Sequence, residues 1–468
     1  MKIFSIIDII KNEKKFLGKK IIIKGWVRFF RNLRFIILND GSTIKNIQAI
    51  LDKKKYNKHF LKKINIGASL KIIGIIVKSL GGEQNIDIKV MNIKIYGEAK
   101  SNEIQETILQ PKYHSLEKLR KQAHLRFRTN FFSSIIRIRH HISIAIHNFF
   151  HKKGFFYIHT PIITTFDSES TGKMFSVTTL NFKKKKKINF LEDFFGKKTY
   201  LTVSGQLQAE VAALALSKVY TFGPIFRAEN SNTSRHLSEF WMIEPEVAFL
   251  KLKGIMNLAE NFIKYIINYV IKNCIDDLKN LDLRFFDKKT KKISSLIDKL
   301  LCILKCSFKR ISYKEAINIL KSVSKKKKFI FPIKWGLDLQ SEHEKYLAEE
   351  YFKSPLILYN FPCNIKSFYM RLNSDEKTVR AMDVIFPEIG EIIGGSEREE
   401  RYDVLLKKIN NMGINKKLLY WYLDTRRFGS TPHSGFGLGL ERLVQFITGV
   451  SNIRDVIPFP RTPKNAFF

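Results

Sequence analysis

Short apolar runs broken by polar turns fill most of the first hundred residues. The runs K-I-I-I-K-G-W-V, F-I-I-L-N-D-G, N-I-Q-A-I-L, S-L-K-I-I-G-I-I-V and I-D-I-K-V-M-N-I-K-I-Y are β-rich, and Gly, Asn and Asp turns separate them. The pattern predicts five strands and a helical patch near Lys55 to Lys63. Strands this short and numerous point to a small β-barrel of the OB type over residues 1–98, a fold that commonly holds single-stranded nucleic acid.

The pattern then changes period. From Gly97 to about Thr129 the chain is polar and helical, and H-S-L-E-K-L-R-K-Q-A-H-L-R-F-R-T reads as a basic connecting helix, so residues 99–129 are expected to form a linker. Apolar residues at helical spacing follow in I-I-R-I-R-H-H-I-S-I-A-I-H-N-F-F-H-K-K-G, with Gly154 as the stop and a strand ending at Pro161. L-T-V-S-G-Q-L-Q-A-E-V-A-A-L-A-L predicts strand, turn and helix, while Phe222 to Glu246 predicts two antiparallel strands around a basic loop. Residues from Lys251 to Tyr351 are helical in pattern and carry no legible chemistry. Strands resume at P-L-I-L-Y-N-F, S-F-Y-M-R-L-N and A-M-D-V-I-F-P-E-I-G-E-I-I-G-G-S, and P-H-S-G-F-G-L-G-L-E-R reads as a glycine-rich strand entering a helix. Residues 130–468 thus form a second, mixed domain, and the fold class is α+β.

Composition adds a partner. The chain has 468 residues, 44% apolar, and a formal net charge of +39, which favours a polyanion such as RNA. Part of that charge reflects a chain-wide excess of Lys, Ile, Asn and Phe of the kind an A+T-rich genome imposes, and the run Lys183 to Lys187 reads as a solvated loop. The four cysteines form no paired C-x-x-C clusters, and Cys302 and Cys306 fall on one helical face as expected core thiols. The N-terminus lacks a cleavage site and no run reaches membrane-spanning length, so a cytoplasmic protein is expected.

Several positions carry candidate chemistry. In the hairpin, Arg227 and Glu229 are two apart and would share a strand face, with Arg235 and His236 in the loop; the arrangement suits a polyphosphate, and equally an ordinary charged hairpin. Ser204 and Gln206 sit at a strand-to-helix junction, where Ser204 can also cap the helix. Asp383 and Glu391 could hold Mg2+, beside Gly394 and Gly395, which permit close backbone approach, and Arg398 follows with a guanidinium fork. A salt-bridged surface strand would read the same way. On the barrel, Arg28, Arg31 and Arg34 supply charge, Phe35 could stack on an unpaired base and Gln48 could bond its edge, unless Phe35 is simply core.

F-R-A-E-N-S-N-T-S-R-H-L-S-E-F-W-M-I-E-P-E closely resembles motif 2 of class II aminoacyl-tRNA synthetases, in the form of the asparaginyl subgroup. G-E-I-I-G-G-S-E-R-E-E-R is similar to the same subgroup, G-L-G-L-E-R to motif 3, the helix ending near Gly154 to motif 1, and G-W-V-R with F-I-I-L-N-D-G to the family's anticodon-binding barrel. The resemblance implies an N-terminal OB-fold barrel plus a catalytic antiparallel sheet flanked by helices, homodimerisation through motif 1, and tRNA(Asn), asparagine and ATP with Mg2+ as partners. It implies Arg227 on the α-phosphate, Arg442 on the γ-phosphate, Glu229, His236 and Phe240 around ATP, and Asp383 and Glu391 holding metal and ATP. Glu169, Ser204, Gln206, Glu244 and Arg398 would bind asparagine, and Arg28, Phe35 and Gln48 the anticodon.

Ala209 stands where aspartyl relatives carry a lysine, and Ser170, Thr171 and Lys173 where bacterial relatives usually carry Gly, Ala and Glu. The implied reaction is asparagine activation followed by transfer to the tRNA 3′ end. Three alternatives are an aspartyl enzyme charging two tRNAs, disfavoured by Ala209; an RNA-binding protein with a dead catalytic domain, disfavoured by intact Arg227, Glu391 and Arg442; and an ammonia-dependent asparagine synthetase, disfavoured by the barrel.

Overall fold

The computed structural model describes residues 2–82, 84–169, 173–181, 189–285 and 295–468. The run Lys183 to Lys187, Ser170 and Thr171 lie outside the described residues. Two compact units emerge, one of residues 1–137 with 276–286 and 468, the other of the remainder.

In the first unit, strands β1 (Lys20–Arg31), β2 (Phe35–Asn39), β3 (Ile47–Ile50), β4 (Ser69–Lys78) and β5 (Ile86–Gly97) close a barrel in the order β1-β2-β3-β5-β4. The expected barrel is present, and the reason is visible in the pleat: Ile21, Ile23, Ile36, Leu38, Ile47, Ala49, Leu70, Ile72 and Ile88 alternate inward and are buried. Closure leaves no open sheet edge. The helical patch consists of a 3-10 turn at Lys53–Lys55 and a short helix at Lys58–Lys62 capped by Asn57.

In the second unit, β6 (Phe156–Tyr157), β7 (Ile163–Thr164), β8 (Ser176–Val177), β9 (Thr199–Leu201), β10 (Lys218–Phe226), β11 (Glu239–Ala248), β12 (Lys309–Ser312), β13 (Leu356–Pro362), β14 (Thr378–Phe386), β15 (Gly390–Glu397) and β16 (His433–Gly439) build two sheets. Among the described residues, one has eight strands in the order β12-β13-β14-β15-β16-β11-β10-β6 and the other is β7-β9-β8. The large sheet is antiparallel except at β12/β13 and β10/β6, which agrees with the expected class. Helices α1 (Asn130–Lys152), α2 (Gln206–Leu216), α3 (Leu252–Asn273), α4 (Tyr420–Arg427) and α5 (Leu440–Thr448) flank these strands in sequence. Phe149 and Phe150 at the end of α1 pack on Phe262 of α3, with ring centroids 5.0 and 4.8 Å away. The helix stops where Gly154 adopts a left-handed φ of 76°.

Three expectations change. S-F-Y-M-R-L-N is no strand: it is a turn held by isolated bridges, Met370 to Arg398 and Leu372 to Val379. Cys302 and Cys306 are not core thiols, since Cys302 is exposed and Cys306, just past its helix, is half-buried; Leu296, Leu300 and Ile303 occupy the apolar face instead. Strand β10 ends at Phe226, so Arg227 and Glu229 lie on the loop. The hairpin nevertheless stays closed there, because the Arg227 amide donates to Ser238 O at 3.0 Å.

Candidate functional site

The face of the large sheet carries a cavity of about 350 Å3 lined by Glu169, Ser204, Gln206, Arg227, Glu229, His236, Phe240, Glu244, Asp383, Glu391, Arg398 and Arg442. Residues scattered over 270 positions of sequence reach one wall because β11, β16 and β15 are adjacent: Ile243 pairs with Leu438, and Leu438 with Ile393. Small residues keep this wall open. A Cβ on Gly394 would sit 3.1 Å from Glu391 Oε1 and 3.7 Å from Asp383 Oδ1, inside the space those carboxylates face.

Arg227 is central. Its guanidinium lies 5.4 Å from the Phe240 ring, and its buried Nε has no hydrogen-bond partner among the described residues. A buried donor left so is costly unless a ligand accepts from it. Arg442 donates from Nη1 to Glu391 O at 2.7 Å, and His236 Nδ1 is 2.6 Å from Thr233 Oγ1. Burial, together with Arg442, lowers the pKa of His236, which favours the neutral ring. Glu169 is pushed up by burial and pulled back by Arg227, and Tyr369 donates to it at 3.1 Å. The charge of Arg227 acts on both Glu169 and His236, and Arg442 and Arg398 line the same cavity.

Ser204 does two jobs. Its Oγ accepts from the Gln206 amide at 3.1 Å, opening α2, and it donates to Glu244. Glu244 also accepts from the Gly205 amide and Thr221 Oγ1, each at 3.0 Å. With three protein donors already bound, Glu244 presents its charge to the cavity more than a vacant lone pair. Arg398 is equally committed: Nε donates to Glu246 Oε2 at 3.2 Å, Nη2 to Glu246 Oε1, and Nη1 to Ser396 Oγ at 2.8 Å. Among the described residues, two of its five N–H groups are left for a ligand. The forked edge assigned by sequence to a substrate thus grips Glu246.

Asp383 and Glu391 suit a hard cation as oxygen donors. Asp383 is paired with Lys366 Nζ at 2.6 Å, and burial and Glu391 raise its pKa while Lys366 opposes them. Glu344 accepts from the Glu391 amide at 3.3 Å and is pushed up to about 7 by burial and by the charges of Glu391 and Asp383. Among the described residues no three His, Cys, Asp or Glu side chains form a ready metal-ligand set. The pair fits a metal whose remaining ligands come from substrate phosphates and water.

On the barrel, Phe35 and Gln48 share the outer face. Phe35 pairs with Ile50 and Gln48 with Ile37, Arg34 lies 5.3 Å from the Phe35 ring, and Gln48 Nε2 donates to Asp87 Oδ1 at 3.1 Å. Arg28 is not brought to them. A register shift between Val27 and Phe29 turns it into a cleft with Gly67 and Arg128, where it donates to Arg128 O, and burial with Arg128 and Arg137 lowers its pKa to about 10.

Residues 115–463 match the family described as tRNA synthetases class II (D, K and N), and residues 21–96 match the OB-fold nucleic acid binding domain. The chain belongs to the class II tRNA synthetases. It is 51% identical to the asparagine–tRNA ligase of Cytophaga hutchinsonii over 100% of both chains, and 54% identical to that of Parabacteroides distasonis over 99% of this chain and 98% of the relative. Its fold is similar to that of asparaginyl-tRNA synthetase from Pyrococcus horikoshii complexed with asparaginyl-adenylate, with a TM-score of 0.84, 31% identity and full coverage of both chains.

Within this synthetase, sequence reasoning missed Glu210, Glu246, Glu344, Lys366 and Tyr369. Two of these had a local signal. Glu246 is two residues from Glu244 on a strand, and Glu210 is four from Gln206 on a helix, so each shares a face with a residue already singled out. Glu344 and Tyr369 reach the site by tertiary folding alone.

Proposed function

We propose that this cavity activates asparagine with ATP, releasing pyrophosphate, and then passes the asparaginyl group to the 3′ end of tRNA(Asn). The observation that carries the reading is the buried Nε of Arg227, unpartnered among the described residues, in a cavity that Glu169, His236, Arg398 and Arg442 also line. An α-phosphate held there would meet a carboxylate whose own ammonium faces Glu169. In this reading the asparagine carboxylate oxygen attacks the α-phosphorus and pyrophosphate leaves; the terminal ribose hydroxyl then attacks the acyl carbon and AMP leaves. Positioning and charge stabilisation by Arg227 and Arg442 supply most of the catalysis, with no dedicated general base.

Glu229, His236 and Phe240 would line the nucleotide, Ser204, Gln206 and Glu244 the amino acid, and the remaining N–H groups of Arg398 the side-chain oxygen. Asp383 and Glu391 would hold Mg2+, which when bound would neutralise phosphate charge. Phe35 and Gln48 would meet the anticodon, with Arg28 held away from them in its own cleft, and residues 1–98, 99–129 and 130–468 would serve as anticodon-binding, connecting and catalytic parts of a cytoplasmic homodimer. Among the described residues no helix is long and apolar enough to cross a membrane.

Pyrophosphate exchange into ATP with asparagine, followed by charging of transcribed tRNA(Asn), tests the reading. Arg227→Ala should cut exchange by about 10² to 10³ while the thermal midpoint holds. Exchange at the parent rate would remove Arg227 from the reaction.

A further inference from the structure

Behind the amino-acid part of the cavity lies a buried set of charges that the reaction itself does not use. Glu210, fully buried on α2, accepts from Gln206 Nε2 at 2.9 Å, Tyr422 OH at 2.6 Å and Arg426 Nη2 at 2.5 Å. His433 Nε2 lies 3.1 Å from the same carboxylate, and Arg398 Nε lies 3.9 Å from it. The same Nε and Nη2 of Arg398 donate to the equally buried Glu246. Gln206, which faces the cavity, is therefore hydrogen-bonded to Glu210, and Arg398, which also faces it, lies within reach of its charge, while Glu210 itself does not line the cavity.

The balance of charge matters because these groups are dry. Burial pushes the Glu246 carboxyl up while Arg398, donating to it twice, favours its ionised form. With Glu246 ionised and His433 left aside, the guanidiniums of Arg398 and Arg426 are matched by the carboxylates of Glu210 and Glu246, and Glu244 adds one further negative charge. At separations of a few ångströms in a water-poor site such charges are weakly screened. An uncompensated arginine would draw a carboxylate side chain more strongly than an amide. Here that excess attraction is cancelled in advance, while the remaining N–H groups of Arg398 can still donate to a neutral carbonyl oxygen.

We infer that Glu210 is a specificity-determining positioning residue: by neutralising Arg398 and Arg426 from behind and holding Gln206, it makes the pocket prefer the neutral amide of asparagine over the carboxylate of aspartate. The inference rests on the reading that Arg398 and Gln206 face the amino acid. Arg426 acts as the counterweight, fixed by its Nε donating to Glu399 O at 3.1 Å.

The test is pyrophosphate exchange by the full-length enzyme with asparagine and with aspartate, read as the ratio of the two kcat/KM values, which a smaller folded fraction does not change. Glu210→Gln keeps the shape and removes the charge; the ratio of asparagine to aspartate should fall about tenfold or more. Adding Arg426→Met restores the count of charges, and the double variant should recover most of the lost ratio. An unchanged ratio in Glu210→Gln overturns the inference, as does a double variant no more selective than the single one.

Arg398→Lys separates this from the underlying reading. If it activates asparagine at the parent rate, Arg398 is not at the substrate; if it is inactive while Glu210→Gln keeps its ratio, the role of Glu210 alone is refuted. Should Glu210→Gln fail to fold, Glu246→Gln decides: the same fall in ratio supports the charge balance, and an unaltered ratio refutes it.

Discussion

Arg398 could not be buried at this depth alone, since an unpaired guanidinium in a protein interior costs several kcal/mol. Glu246 and Glu210 hold it firmly in the charged form, and the space for Glu246 exists only because position 435 is glycine. A Cβ there would fall within 2.4 Å of three Glu246 carboxyl atoms. Gly435→Ala should therefore destabilise the fold by about 1–3 kcal/mol and raise the KM for asparagine, checked by thermal melts and exchange kinetics. Glu169 gives a pH effect whose sign follows from its burial. Its pKa is raised, so as pH falls it gains a proton, and would lose the proposed hold on the substrate ammonium, at a higher pH than an ordinary carboxylate does. The KM for asparagine should rise on mild acidification, and Glu169→Gln should have a high KM that no longer varies with pH in that range. That Arg227 and Arg442 would meet in one cavity was readable from their motifs. The commitments of Arg398 and Glu244 to protein partners were not, because motif spacing says nothing of which side of a guanidinium or carboxylate is already taken.

Strands and turns were most legible where their period was strict. The barrel followed from short β-rich runs between Gly, Asn and Asp turns, and β10 and β11 from two apolar runs around the Arg235–His236 loop, with Phe226 pairing to Glu239. The segment S-F-Y-M-R-L-N has the same local composition and forms no strand, because its place beside Arg398 and Val379 is set by neighbours remote in sequence. The region from Lys251 to Tyr351 looked like packing and mostly is, yet it delivers Glu344 to the carboxylate pair. Among the barrel strands, β2 and β3 present Phe35 and Gln48 on one outer face. Phe35→Ala should lower kcat/KM for tRNA charging by about tenfold, since stacking of one base contributes about 1–3 kcal/mol, and leave pyrophosphate exchange unchanged. Equal charging by the variant would move base recognition off this face.

At the scale of the molecule, a net charge of +39 suits a partner as anionic as tRNA, although a charge spread through the whole sequence does not mark one surface for it. The proposed homodimer has a structural motive: edge strand β6 leaves Phe156 and Tyr157 56% and 44% exposed, with Trp241 37% exposed on β11. Light scattering should give about twice the chain mass of 54.7 kDa at working concentration, and Phe156→Asp should shift it toward one chain. The central claim, that a charge-balanced pocket selects asparagine for transfer to tRNA, is tested most directly by comparing pyrophosphate exchange with asparagine and with aspartate in the parent enzyme. A kcat/KM for asparagine higher by about 10⁴ or more is the predicted result. Comparable exchange with aspartate would contradict it.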